Sequence, residues 1–259
     1  MPYVQVGCTR IHFVEQCPNP AATHLSPIVF IHGAGGSHQV WLQQLRILGR
    51  RRKAIAIDLP GHGDSNGSGA DRIEVYRDIV VECVRALDLQ RSVVVGHSMG
   101  GAIAQSIAVG SPGLLAAIVL IGTGARLRIH PKIFAGLQDD VRQTVGMIAA
   151  WARAAGTPAE VISQDADAML RTPASVIEND LRACDAFDLM EQVKMITLPT
   201  LVIGGAEDRM TPSAYAKYLH QQISGSQLLS IPDAGHMVMF ERPDEVSRGI
   251  EDFLDQQGC

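Results

Sequence analysis

The chain has 259 residues, enough for one large α/β domain or for a core carrying an insertion, and at that length roughly three quarters of the extended chain's surface can be buried. Hydrophobic residues make up 46% and charged residues 19%, with 25 Gly and 13 Pro, which excludes disorder, collagen-like repeats and coiled coil. With 22 Lys and Arg against 27 Asp and Glu, the formal charge of −5 supplies no global basic field for nucleic acid or an anionic membrane.

In chain order, the alternating segments 3–6 and 10–14 flank Gly7 and predict an antiparallel hairpin at a sheet edge. Residues 1–17 lack the unbroken apolar stretch of a signal peptide. No apolar run approaches 18 residues, so no transmembrane helix is expected. Cys8, Cys17, Cys83, Cys184 and Cys259 are odd in number and show no metal-ligand or redox spacing, which argues against a disulfide framework and for cytoplasmic residence. Arg50, Arg51, Arg52 and Lys53 form the one local basic run, read as a solvated turn ahead of a strand. Asn66-Gly67-Ser68 matches a glycosylation acceptor and is read as a Gly-rich turn.

Residues 28–31, 54–57, 93–95, 118–121 and 201–203 are continuously apolar, as strands buried on both faces are. Tyr76, Val80, Cys83, Val84 and Leu87 recur at helical spacing, as do Val246, Ile250, Phe253 and Leu254. Alternation of short strands with helical segments predicts an α/β fold, a mainly parallel sheet with helices on both faces. The regularity breaks after residue 121. Residues 126–197 read as helices with no strand between them, an inserted subdomain dividing a core of 1–125 and 198–259. Phe134, Met147, Trp151, Met169 and Phe187 are candidates for an apolar pocket there, although such residues at helical spacing are usually plain core.

The sharpest local signal is Gly96-His97-Ser98-Met99-Gly100, placed between the strand 92–95 and the small-residue helix start Gly101-Ala102-Ile103-Ala104. A strand, a sharp turn and a helix would expose the Ser98 hydroxyl above the strand ends, beside a helix N-terminus. A serine hydroxyl is a poor nucleophile near neutral pH and needs a histidine in reach, itself oriented by an acid. His236 follows the short strand 228–231 in Pro232-Asp233-Ala234-Gly235-His236, and Asp208 holds the equivalent position after 201–205. The order Ser, Asp, His is the one the motif predicts. Glu207 is the alternative acid. Acyl transfer also needs donors for a developing oxyanion. His32-Gly33-Ala34-Gly35-Gly36, after the strand 28–31, offers the Ala34 N–H to act with the Met99 N–H.

With these motifs, the chain resembles the α/β-hydrolase superfamily over essentially its whole length, and within it small carboxylesterases such as pimeloyl-carrier-protein methyl ester esterases, and 3-oxoadipate enol-lactonases and C–C hydrolases. The resemblance implies an eight-stranded sheet with an inserted helical cap over 126–197. It makes residues 58–65 an architectural loop, with His62 and Asp64 stabilising its turn. It also disfavours the dehalogenase and epoxide hydrolase branches, which carry an aspartate where this chain has Ser98. No dinucleotide or Walker-type loop and no zinc-protease motif is present, so neither cofactor nor metal is implied. The expected partner is a small-molecule ester. A lactonase or C–C hydrolase would use the same residues, and a low-turnover ligand receptor on the same fold is the alternative of another class.

Overall fold

A computed structural model describes residues 2–17, 25–89 and 91–259. In chain order its strands are β1 (Tyr3–Val6), β2 (Thr9–Gln16), β3 (Ile28–Ile31), β4 (Ala54–Ile57), β5 (Ser92–His97), β6 (Leu115–Ile121), β7 (Thr200–Gly205) and β8 (Gln227–Ile231). They form one eight-stranded sheet of order β1-β2-β4-β3-β5-β6-β7-β8. β1 and β2 pair as an antiparallel hairpin, β2 joins β4 antiparallel, and every later pairing is parallel. The edge hairpin, the parallel sheet and its eight strands are as the sequence predicts.

Each central strand buries both faces. Val29 and Ile31 of β3, Ile55 and Ile57 of β4, and Ile118 and Leu120 of β6 face one apolar layer. Ile28 and Phe30, Ala54 and Ala56, and Val119 and Ile121 face the other. On the first face lie α2 (Ile73–Ala86), α3 (Met99–Gly110) and α8 (Ser213–Gln222). On the second lie α1 (Leu42–Leu48), the short α9 (Val238–Glu241) and α10 (Pro243–Gln257). This two-sided burial is why period-2 polarity is missing from the strand sequences.

Between β6 and β7 the chain forms α4 (Pro131–Asp139), α5 (Val141–Trp151), α6 (Ala159–Met169) and α7 (Ala174–Ala186). α4, α5 and α7 share a third apolar cluster of Ile133, Leu137, Val145, Ile148, Ile177 and Leu181, against which Ala166 and Met169 of α6 and Ala34 of the core pack. Among the described residues no helix is long and apolar enough to cross a membrane.

The basic run at 50–53 is the expected turn ahead of β4, with Arg50 and Arg51 exposed, but Arg52 departs from it. Arg52 is only 1% exposed, and its Nη1 donates to the Cys259 carbonyl at 3.0 Å. The long aliphatic stem packs inside while Cys259 supplies an acceptor.

Candidate active site

β3 lies between β4 and β5, so the chain's crossovers reverse direction at β3 and β5. Open parallel sheets hold ligands beyond the carboxyl ends of their strands at such a switch. The segments after β3, β5, β7 and β8 carry every residue the sequence singled out for chemistry.

Ser98 caps the N-terminus of α3 with φ 52° and ψ −114°, a conformation costly for a residue with a side chain. The flanking glycines are what make it possible. A Cβ on Gly96 would run into the Gly100 carbonyl, and one on Gly100 into the Ile31 carbonyl. The turn is then locked. Ser98 N–H donates to the Ile121 carbonyl at 2.9 Å, and its own carbonyl accepts from the Gly101 and Ala102 N–H groups and from Thr123 Oγ1 at 2.8 Å. In the run 92–100, Ser98 alone is partly exposed.

His236 Nδ1 donates to Asp208 Oδ2 at 2.8 Å, and both residues are buried. The Asp208 carboxylate also accepts from Met210 N–H at 2.8 Å, Thr211 N–H at 2.9 Å and Thr211 Oγ1 at 2.7 Å. Burial by itself would raise the Asp208 pKa. The facing His236 and these donors outweigh burial and hold the group below its ordinary value. Glu207 points elsewhere, its Oε2 accepting the Ala155 N–H at 2.8 Å. Between Ser98 and the histidine loop sits His97, which burial and the neighbouring His236 pull down to about 3. It is therefore neutral, and its Nε2–H donates to the His236 carbonyl at 3.0 Å.

The oxyanion candidates are set by backbone geometry. The Gly33 carbonyl accepts from Gly36 N–H at 3.1 Å and from His32 Nδ1 at 2.8 Å. His32 Nε2 accepts from Leu59 N–H at 3.0 Å, so the ring is neutral, as a pKa lowered to about 4 by burial and by His62 requires. Because a trans peptide points its C=O and N–H in opposite directions, fixing the Gly33 carbonyl fixes the Ala34 N–H. Among the described residues no acceptor is bonded to that N–H. Met99 is the first residue of α3, where a helix leaves its N–H groups without intrahelical acceptors. A Cβ added to Gly33 would lie 3.2 Å from the Ser98 Cβ, so the two loops are in contact.

Ser98, His236 and Ala34 line one cavity of about 380 Å³. Its walls include Ile133, Ile148 and Leu181 of the inserted helices, with Arg128, Asp165 and Arg209 also on its surface. Of the five pocket candidates, Trp151 and Met169 line it. Phe134 and Met147 pack with the third cluster, and Phe187 is buried in the first.

In the loop 58–65, where His62 and Asp64 are expected to stabilise the turn, His62 Nδ1 bonds the Pro60 carbonyl at 3.0 Å, but the main anchor is Asp58 and not the Asp64 side chain. The Asp58 carboxylate accepts from His12 Nδ1 at 2.8 Å, His38 N–H at 2.6 Å, His38 Nδ1 at 2.9 Å and Asp64 N–H at 3.1 Å. The Asp64 side chain is 54% exposed, so it is the Asp64 backbone that serves the turn. Despite burial, the bonds from His38 keep Asp58 well below the usual carboxylate range. His12, His38 and Asp58 bring potential metal-ligating atoms within 4.8 Å of one another, but the carboxylate's oxygens are already occupied by these four donors.

Missed in the sequence were Thr211, Thr123 and Asp180. Thr211 and Thr123 carry no motif signal. Asp180 does, since it interrupts the buried stripe of Val176, Ile177, Leu181 and Cys184 on α7.

Comparison with known proteins places the chain in a family. The profile described as "Alpha/beta hydrolase family" matches residues 28–248. An uncharacterized hydrolase, YugF, of Bacillus subtilis (strain 168) is 30% identical over 93% of each chain. A pimeloyl-[acyl-carrier protein] methyl ester esterase of Pectobacterium carotovorum is 27% identical, covering 86% of this chain and 92% of that one. A solved thermophilic esterase superimposes with a TM-score of 0.87 at 33% identity, covering 99% of this chain and 98% of that one.

Proposed function

The chain belongs to the alpha/beta hydrolase family, and from that premise we propose that it is a serine hydrolase that cleaves carboxylic esters through an acyl-enzyme. The observation that carries the reading is the 2.8 Å bond from His236 to Asp208 on the cavity into which the strained Ser98 opens. His236 Nδ1 is committed to Asp208, which leaves Nε2 as the base. Ser98 Oγ attacks the ester carbonyl and its proton passes to His236, while Asp208 stabilises the imidazolium. The carbonyl oxygen becomes an oxyanion between the N–H groups of Ala34 and Met99. His236 returns the proton to the leaving alcohol as the C–O bond breaks. Water, deprotonated by the same histidine, then attacks the acyl group, and the acid leaves with Ser98 restored.

In this reading residues 126–197 act as a cap on a core of 1–125 and 198–259. The cap's Ile133, Ile148 and Leu181 favour an apolar acyl chain in the cavity. The free thiols of Cys8, Cys17, Cys83, Cys184 and Cys259 suit a reducing cytoplasm.

Hydrolysis of p-nitrophenyl esters of increasing acyl length, with Ser98→Ala in parallel, tests the reading. Ser98→Ala is expected to keep its fold and to lose about 10³-fold or more in kcat, with a length optimum in the parent protein. Near-parental rates in Ser98→Ala overturn the assignment. Absence of serine-dependent turnover moves the protein to a narrow lactonase or C–C hydrolase, or to a receptor on the same fold.

A further inference from the structure

Away from the Ser98–His236–Asp208 line, a buried acidic residue of the inserted helices reaches the loop that follows β3. Asp180 of α7 is fully buried, as are His62 and Tyr76 beside it. Its Oδ2 accepts from His62 Nε2 at 2.7 Å and from Gly35 N–H at 2.8 Å, and its Oδ1 accepts from the Tyr76 hydroxyl. The other His62 nitrogen, Nδ1, faces the Pro60 carbonyl at 3.0 Å. With acceptors on both sides the ring carries both protons, and His62 with Asp180 forms a buried ion pair. A second residue of the insertion reaches the same loop, Thr172 Oγ1 donating to the Gly35 carbonyl at 3.1 Å.

Both backbone groups of Gly35 are thus held by side chains from the inserted segment, and Gly35 directly follows Ala34. Gly35 has φ +65°, and a Cβ there would strike Met169 of α6, so the loop fits against the insertion only as glycine. A partly satisfied buried carboxylate is expensive. Asp180 therefore needs the Gly35 N–H, His62 and Tyr76 together.

We propose that Asp180 is a positioning residue for the oxyanion hole: by holding the Gly35 N–H from the inserted helices, it pins the Ala34–Gly35 peptide next to the Gly33–Ala34 peptide that carries the donor, so that Ala34 is held on both sides only when those helices are docked. The proposal rests on the ester-hydrolase reading. It assigns the insertion a part in transition-state stabilisation, beyond its part in lining the cavity.

The test compares a p-nitrophenyl ester with the thionoester of the same acyl chain, in the parent protein, in Asp180→Asn and in Thr172→Val. Sulfur in the C=S group is a poorer hydrogen-bond acceptor than oxygen, so a working oxyanion hole favours the ester. Asp180→Asn is expected to lower ester kcat by about 10–100-fold, below the cost of deleting a donor outright, with KM changed by less than about 3-fold. The ratio of ester to thionoester kcat/KM should collapse by about 5-fold or more as the donor loses aim. A purely structural role lowers the active fraction for both substrates together and leaves that ratio where it was. An unchanged ratio in folded Asp180→Asn overturns the proposal. If that variant does not fold, Thr172→Val decides by the same ratio. A parent protein that cleaves both substrates equally well also overturns it. A parent protein without serine-dependent turnover of either substrate overturns the ester reading, and the proposal with it.

Discussion

On the acid–base side of Ser98, core side chains reach out to the backbone of the inserted helices. Glu207 accepts the Ala155 N–H at 2.8 Å, Glu241 accepts the Ala154 N–H at 3.0 Å, and Arg209 donates to the carbonyls of Ala150 at 2.7 Å and Arg153 at 3.0 Å. On the oxyanion side the direction reverses. There Asp180 and Thr172, side chains of the insertion, hold the backbone of the core's Gly35. The Asp208 and His236 side chains keep their partners among Met210, Thr211 and each other, while the loop beside them meets the insertion through its backbone, Met237 N–H donating to the Ala152 carbonyl at 3.1 Å. The loop at Ala34 takes part of its geometry from residues that the insertion alone supplies. The acid and base side chains take core partners, whereas the oxyanion loop takes side chains of the insertion.

The largest expected effect that breaks this asymmetry is Asp208→Asn. An amide presents the wrong hydrogen-bond pattern to His236 Nδ1, and loss of the required tautomer in a triad costs about 10⁴ in kcat. The ester to thionoester ratio should nevertheless stay within about 2-fold of the parent protein, because the oxyanion donors are untouched. Steady-state kinetics on the substrate pair check this. A collapsed ratio in Asp208→Asn would show that the two halves are not independent.

Next in size is acid stability. His32 and His97, lowered to about 4 and about 3 by burial, are neutral in the fold but take protons in the unfolded chain below about pH 6.5. The stability they contribute is present above pH 6.5 and is lost as the medium acidifies. With two extra protons bound by the unfolded state, the slope reaches up to about 2.7 kcal/mol per pH unit between roughly pH 6 and 4. Asp58 and Asp208, both depressed, continue the loss below about pH 4, where their unfolded forms become protonated. Urea unfolding at pH 7 and pH 4.5 measures the first window, and equal stability at the two values would contradict neutral, buried rings at both positions.

The same asymmetry explains what was legible in the sequence. Ser98, Asp208 and His236 each follow a short apolar strand within a few residues, so local spacing locates them, and a doubly buried sheet writes its strands as continuous apolar runs. The loop 32–36 is equally visible. What holds it is not, because Asp180 lies 145 residues from Gly35, and no local pattern connects a loop glycine to a distant helix. The only trace is a carboxylate on an apolar helical stripe, which says that Asp180 must have partners without saying which. His62 went the same way. Its place in a glycine-rich loop reads as turn chemistry, and Nδ1 does bond the Pro60 carbonyl of that loop, but Nε2 reaches out of it to α7. Arg52 was obscured for the same reason, since its guanidinium bonds the Cys259 carbonyl, 207 residues away in sequence.

The smallest expected effect sharpens the comparison from the core's side. Glu241 ties two backbones together, its Oε2 accepting Ala154 N–H and its Oε1 accepting Gly235 N–H at 3.0 Å, one residue before His236. Glu241→Gln keeps one acceptor and turns the other position into a donor facing an N–H, so one of the two bonds is lost. The contact is part-buried, and a hydrogen bond to a charged group contributes about 1.5–3 kcal/mol when fully enclosed, so a loss near about 1 kcal/mol is expected here and a 259-residue chain should melt about 2–4 °C lower. Catalysis should barely move, within about 3-fold in kcat/KM, because His236 is still fixed by Asp208 on one side and by the His97 bond to its carbonyl on the other. If Glu241→Gln instead costs as much activity as Asp180→Asn, the insertion orients the histidine loop as strongly as it orients Ala34, and dependence on the inserted helices belongs to the whole site.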